Sequence, residues 1–281
     1  MPLLDFPALP TLLSDSEKTA AGAYHKLLLD KEEEGVLPDN LYIKSTERTR
    51  ENEAVAMQMA RALGLPVHKV YSYGEHHENG RVIGSILMEA MPGEMLDEVH
   101  EGMTPEEKET VAAELKHYLG IMRSYSNPWG TTVCSVIGGS LYSTRTCPRI
   151  FVPCDDEAAF NTFLHYCCRP TDEGYHGCIP FKEAQRRAHL MDNMPHQIVF
   201  THGDLWSHNI LVKDGHITAI IDWETAGWYP EYWEITTPQR WQSPDSFWPK
   251  TLKFITDDKY AEEFQCEIAL WELSADAIAG F

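Results

Sequence analysis

Positive charge is what this chain has least of. Its 281 residues hold 23 Lys and Arg against 43 Asp and Glu, a formal net charge of −20. A field of that sign repels the phosphates of nucleic acids and anionic membranes, so neither is expected as a partner, and it attracts cations. No apolar run approaches the roughly 20 residues that cross a bilayer, and the opening MPLLDFPALPTLLSDSEK lacks the basic start of a secretory signal. The expectation is a soluble, cytoplasmic protein. Cys-x-x-Cys is missing as well: the seven cysteines form an odd set, and the adjacent Cys167 and Cys168 fit no zinc spacing. Reduced, half-buried thiols are expected, and His76 and His77, at a turn in GEHHENG, are expected to be solvated.

What is present is ordinary for a globular protein: 43% hydrophobic and 23% charged residues. The chain is long enough to bury a sizeable core as one large domain or two packed lobes. Residues 14–33 read as a helix entered through Ser and Asp, NLYIKS at 40–45 as a strand, and ENEAVAMQMARALG at 51–64 as a helix closed by Gly64. PVHKVYSYG and RVIGSILMEAM read as strands joined at ENG. Thr104, Pro105 and Glu107 start a further helix with a capping box, running to about Ser124. The stretch 125–180 is rich in Gly, Pro, Thr and Cys. It is followed by a helix at FKEAQRRAHLMDN that leads into QIVFTHGD, a hairpin of NILV and HITAIID around KDG, and a C-terminal helical stretch, YAEEFQCEIALWELSADAI. Strands with one helix come first and mostly helices follow, which predicts an α+β fold of two lobes: a reduced N-terminal β-sheet lobe, residues 1–90, and a larger, mainly helical C-terminal lobe, residues 91–281.

The informative stretch is FTHGDLWSHNILVKDGHITAIIDWETAGWYPEYWE, Phe200 to Glu234. Phosphoryl transfer needs a carboxylate to orient and deprotonate the attacking group, oxygen ligands for Mg²⁺, and a Lys for the phosphates of ATP. Asp204 and Asn209 have the spacing of a kinase catalytic loop, in which the base Asp is followed by four residues and a metal-binding Asn. The hairpin then returns the chain to Asp222, at the end of its second strand. His202-Gly203, the apolar strand, the turn and IIDWE together make chance a poor explanation.

On the motifs THGDLWSHNILV and IIDWETAGWYPEYWE the chain resembles the aminoglycoside phosphotransferase and choline kinase-like family, which has the protein-kinase-like fold. The resemblance is looser upstream and covers about residues 40–235. It implies Asp204 as catalytic base, Asn209 and Asp222 as Mg²⁺ ligands, and ATP as phosphoryl donor to hydroxyls of small, often cationic molecules. It also implies Lys44, on the strand LYIK, as the phosphate-binding Lys, and Glu53 as its pairing Glu; Glu51 is the competing choice. The segment ILMEAMPGE resembles the hinge between lobes, where backbone groups from Glu89 to Met91 would meet adenine. The competing reading there is an apolar strand end.

One part of that family pattern is absent. A kinase N-lobe opens with two strands joined by a glycine-rich loop over the phosphates, whereas only Gly22 and Gly35 precede Lys44 here. Two functions therefore stand side by side. One is an ATP- and Mg²⁺-dependent phosphotransferase acting on a small molecule that is amine-bearing or neutral. The other is a kinase-like domain that has lost its lid, acting as a nucleotide-independent acid–base enzyme around Asp204 or as a non-catalytic binding protein. Beyond Asp222, Glu224, Tyr229, Glu231 and Glu234 are candidate acceptor contacts, since aromatic faces beside carboxylates hold ammonium groups. Packing is the favoured role for Trp228 and Trp233. Trp241 and Trp248, in PQRWQSPDSFWP, are further candidates to line the acceptor site.

Overall fold

The computed structural model describes residues 3–33, 38–240 and 242–274. From the N-terminus the chain forms α1 (Asp15–Glu33), β1 (Leu41–Thr46), α2 (Glu51–Ala62), β2 (Val70–Glu78), β3 (Arg81–Glu89), β4 (Glu94–Met95), α3 (Leu96–Val99) and α4 (Pro105–Met122). It continues through β5 (Cys134–Ser135), β6 (Leu141–Tyr142), β7 (Ile150–Phe151), α5 (Glu157–Tyr166), α6 (Phe181–Ala188) and β8 (Ile198–Thr201). The last elements are β9 (Ile210–Lys213), β10 (His216–Ile220), β11 (Gly227–Pro230), α7 (Trp233–Thr236), α8 (Phe247–Thr256) and α9 (Ala261–Leu273). Gly35 and Trp241 lie outside the described residues, as does the end of the expected C-terminal helical stretch. Among the described residues no helix is long and apolar enough to cross a membrane.

The chain packs as two units, each built from discontinuous stretches. The first joins Pro7–Met122 to Ser207–Ala226; the second joins Met1–Phe6, Arg123–Trp206 and Gly227–Phe281. Residues 91–122 and the hairpin thus belong to the same unit as the N-terminal sheet, whereas the expected lobe boundary falls at residue 90.

In the first unit three antiparallel strands lie in the order β1-β3-β2, with Lys44 opposite Ile86. Helix α1 lies on this sheet. Gly22 and Gly74 meet where helix and strand approach, and a Cβ on either would run into the other element's backbone. The fully buried His25 clips α1 to hydroxyls on β2 and β3, with Nε2 2.7 Å from Ser72 Oγ and Nδ1 2.8 Å from Ser85 Oγ. Helix α2 is buried nearly all round, with Glu53 to Met57 an unbroken buried run and Met59 and Ala60 also inside, the pattern of a helix covered on more than one face. A second sheet, β10-β9-β4, holds the hairpin. Helix α4 begins with the expected capping box: Thr104 N donates to Glu107 Oε2 at 2.8 Å, and Glu107 N to Thr104 Oγ1 at 3.2 Å.

In the second unit β11 is the central strand of a β5-β11-β8 sheet, with Trp228 opposite Phe200. Behind it sits an aromatic core. Tyr229 stacks on Trp233 at 5.4 Å, and Phe160 meets Trp233 edge-on at 5.2 Å. Trp228 and Trp233 are both fully buried, in keeping with the packing role.

Candidate functional site

The first unit gathers three acidic groups around one cation. Lys44 Nζ donates to Glu53 Oε1 at 2.7 Å and to Asp222 Oδ1 at 2.5 Å, and lies 3.8 Å from Glu224 Oε2. The pairing Glu is therefore Glu53. Glu51 points elsewhere, to Lys18 Nζ at 2.6 Å and to Leu13 N at 2.9 Å, because two residues along a helix turn the side chain to a different face. Burial pushes Glu53 up to about 7, against the pull of Lys44, since one ammonium is shared among several carboxylates. Burial also opposes the charge on Lys44, yet the fields of Glu53 and Asp222 win and raise its pKa above the ordinary value.

The chain around Asp222 is fixed to α2. Asp222 adopts a left-handed backbone, φ 64° and ψ 62°, uncommon for a residue with a side chain. The turn Trp223–Thr225 holds it there: Trp223 Nε1 donates to Ile220 O at 2.9 Å, and Ala226 N to Trp223 O at 3.1 Å. Asn52 Nδ2 then donates to Ala226 O at 2.9 Å. Neighbouring residues of α2 thus grip the loop after Asp222 and, through Lys44, Asp222 itself.

These groups close one end of a cavity of about 530 Å³. Lys44, Glu53, Asn209 and Asp222 supply its polar end, and Met57, Met88, Met91, Met95, Leu211 and Ile221 supply apolar walls. Asn209 is buried, and its C=O accepts from Ile221 N at 2.9 Å, which ties it to the strand leading to Asp222. A carboxylate and an amide oxygen on one cavity are the hard donor set that Mg²⁺ takes. At the expected hinge, Glu89 is already engaged: its N–H donates to Lys69 O at 2.9 Å, and its C=O lies 2.6 Å from His68 Nδ1. Ala90 N donates to Asn40 O at 3.0 Å. The Met91 backbone carries no such partner among the described residues. No strand precedes β1 among the described residues, so the paired strands of a glycine-loop lid are absent there.

Asp204 belongs to the second unit, in a turn braced from several sides. Gly203 has φ 85°, which a side chain would resist. Asp204 N donates to the buried His202 Nδ1 at 3.3 Å, Trp206 N to Asp204 O at 2.9 Å, and Thr144 Oγ1 to Asp204 Oδ1 at 3.3 Å. Beneath the turn, Glu234 accepts from His202 N at 2.6 Å and from Gly203 N at 3.1 Å. Full burial pushes Glu234 up to about 7, although those two donors act to lower it.

The four candidate acceptor residues are engaged within the protein. Glu234 is the brace just described, and Tyr229 is fully buried in the aromatic core. Glu231 accepts from Lys259 Nζ at 2.9 Å and from Tyr260 Oη at 2.8 Å. Glu224, in the first unit, lies buried 3.5 Å from Arg48 Nε. Trp248 is 1% exposed and donates to Leu205 O at 3.0 Å, so it supports the Asp204 turn from inside. Acidic and aromatic residues after a Pro-containing turn look alike in sequence whether they face a ligand or the interior. Thr144, Asn52 and His68 carried no sequence signal: each acts across a long chain separation, Thr144 and His68 from loops and Asn52 from the first turn of α2, with no motif of its own.

A model of the phosphotransferase enzyme family matches residues 41–253. Among solved structures, aminoglycoside phosphotransferase APH(4)-Ia is similar at 16% identity with a TM-score of 0.58, covering 87% of this chain and 81% of that one. A ternary complex of a thermostable mutant of that enzyme with AMP-PNP and hygromycin B is similar at 14% identity with a TM-score of 0.55, covering 83% and 77%. No curated protein matches the chain in sequence. Matched over most of its length, this chain belongs to the phosphotransferase enzyme family and has its two-lobed, kinase-like fold.

Proposed function

We propose that the protein transfers the γ-phosphoryl group of ATP, with Mg²⁺, to a hydroxyl of a neutral or cationic small molecule. The observation that carries this reading is the meeting of Lys44, Glu53 and Asp222 at the polar end of an apolar cavity. A flat heterocycle suits walls of methionine, leucine and isoleucine, which adapt to its faces. Its edge would meet the Met91 backbone, because the polar groups of Glu89 are already bonded. Lys44, held by Glu53, would orient the phosphates, and Asn209 and Asp222 would hold the metal. Mg²⁺, when bound, neutralises charge on the phosphates. Asp204 would accept the hydroxyl proton as the acceptor oxygen bonds to phosphorus and the bond to ADP breaks. Thr144 and the Glu234 brace fix where that carboxylate points.

Titration calorimetry with ATP and Mg²⁺ tests the reading. Binding at micromolar to millimolar nucleotide is expected, and silence throughout that range favours the nucleotide-independent alternatives. Given binding, Asp204→Ala should lower turnover by at least about a hundredfold, the range of one general base, and leave nucleotide affinity within about twofold. An acceptor panel of amino alcohols, neutral sugars, sugar phosphates and hygromycin B, the compound in one similar structure, tests the substrate class. Turnover confined to the anionic members contradicts the proposal.

A further inference from the structure

We propose that His165, His189 and Asp192 form a binding site for a divalent transition-metal ion of the Zn²⁺ type. None of the three takes part in the proposed phosphoryl transfer. His165 lies in the last turn of α5, and His189 and Asp192 lie in the single-turn 3₁₀ helix His189–Asn193 that follows α6. In a 3₁₀ turn, side chains at i and i+3 eclipse, which brings His189 and Asp192 together and aims them at α5. His165 Nε2 is 3.0 Å from Asp192 Oδ1, and His189 Nδ1 is 2.9 Å from Asp192 Oδ2. The two imidazoles stack at 4.2 Å with 28° between their planes. One ligand atom from each residue lies within 4.8 Å of the others.

That spacing suits a tetrahedral ion. With Zn–N of about 2.0–2.1 Å and Zn–O of about 2.0–2.2 Å, neighbouring ligand atoms stand roughly 3.3 Å apart. The two observed N···O separations are shorter by a few tenths of an ångström and run to different oxygens of Asp192, so completing the triangle takes a turn of the carboxylate that brings one oxygen to both nitrogens, with small ring rotations and the backbone in place. The plain alternative is a carboxylate that accepts one proton from each imidazole and nothing more. The other ring nitrogens, His165 Nδ1 and His189 Nε2, have no protein partner among the described residues. Each ring can therefore move its proton to the outer nitrogen, giving up its hydrogen bond to Asp192, and offer the freed lone pair to a metal that the carboxylate also binds. His189 is 62% and Asp192 39% exposed in the side chain, which leaves the fourth position to water. Two imidazole ligands favour Zn²⁺, Ni²⁺ or Cu²⁺ over Mg²⁺ or Ca²⁺. The ion would tie α5 to the 3₁₀ turn and add stability by binding the folded state alone.

The test uses the full chain, stripped of metal by a chelator and titrated with ZnCl₂ at about pH 7.5, where imidazoles are mostly neutral. Wild type is expected to bind one more equivalent than His189→Ala, or to bind that equivalent at least about tenfold more tightly. Its melting midpoint should rise by about 3 °C or more at a hundredfold excess over Kd, with a smaller rise in the variant. MgCl₂ should not compete for this equivalent. Identical Zn²⁺ isotherms for wild type and His189→Ala, or no Zn²⁺ bound by wild type, overturn the proposal. If circular dichroism finds His189→Ala unfolded, Asp192→Asn serves instead: it keeps a hydrogen-bond acceptor but lacks the charge, and undiminished Zn²⁺ binding by it is equally fatal.

Discussion

At the scale of single residues, the site is an imbalance of charge: one Lys is shared by Glu53 and Asp222, with Glu224 close behind. Under the proposed function, Lys44→Met should weaken ATP binding at least tenfold, about 1.4 kcal/mol, as read by calorimetry; unchanged affinity means that Lys44 does not touch the phosphates. Glu234 gives a separate handle through pH. Its folded pKa of about 7 lies above the ordinary 4.5, so its contribution to stability is complete below the lower value and is lost as pH rises through the higher one. Glu53 acts with the same sign. The melting midpoint is therefore expected to rise on acidification across this window, and to rise less steeply in Glu234→Gln. Equal slopes in the two proteins rule out a buried, proton-binding Glu234. Asp204, Asn209 and Asp222 were legible in sequence as candidates because motif spacing singles them out. The buried state of Tyr229 and Glu234 was not, because exposure depends on what packs above a side chain.

At the scale of elements, the same substitution should act in opposite directions in two helices. Gly22 in α1 meets the backbone of Glu75, whereas Gly120 in α4 has open space where a Cβ would go. Gly22→Ala forces helix and strand apart and should cost about 1–3 kcal/mol, the range of overpacking. Gly120→Ala restricts the unfolded chain at no steric cost and should add about 0.5–1 kcal/mol. Urea unfolding of both variants checks the pair, and a shift of the same sign in both contradicts the helix–sheet contact at Gly22. The elements themselves were largely readable. Period-2 and period-3.6 patterns located β1, α2, β2, β3 and the hairpin, and the Thr104–Glu107 box marked the start of α4. The approach of α1 to β2 was not readable, since a glycine in a helix pattern does not name the strand it will touch.

At the scale of the whole molecule, a net charge of −20 repels itself and attracts cations. Raising salt from about 0.02 to 0.5 M shortens the screening length severalfold. Under the proposed function, the KM of a cationic acceptor should rise over that range while that of a neutral acceptor changes little; parallel behaviour excludes steering by the protein's field. The long-range organisation lies beyond any local pattern. Residues 207–226 belong to the same unit as the N-terminal sheet, while Gly227 onward joins β8 and β5.

The sequence by itself pointed to the family, the order of most elements and the candidate residues for phosphate chemistry, because these reside in short spacings and residue types that survive without partners. The pairing of Lys44 with Glu53 was already the favoured reading of the sequence, and the geometry agrees with it. Only the tertiary structure decided that the acceptor-side aromatics and acids turn inward, and that His165 comes to lie against His189 and Asp192. Those outcomes depend on contacts between residues far apart in the chain, and such contacts exist only once burial has selected one packing of the elements.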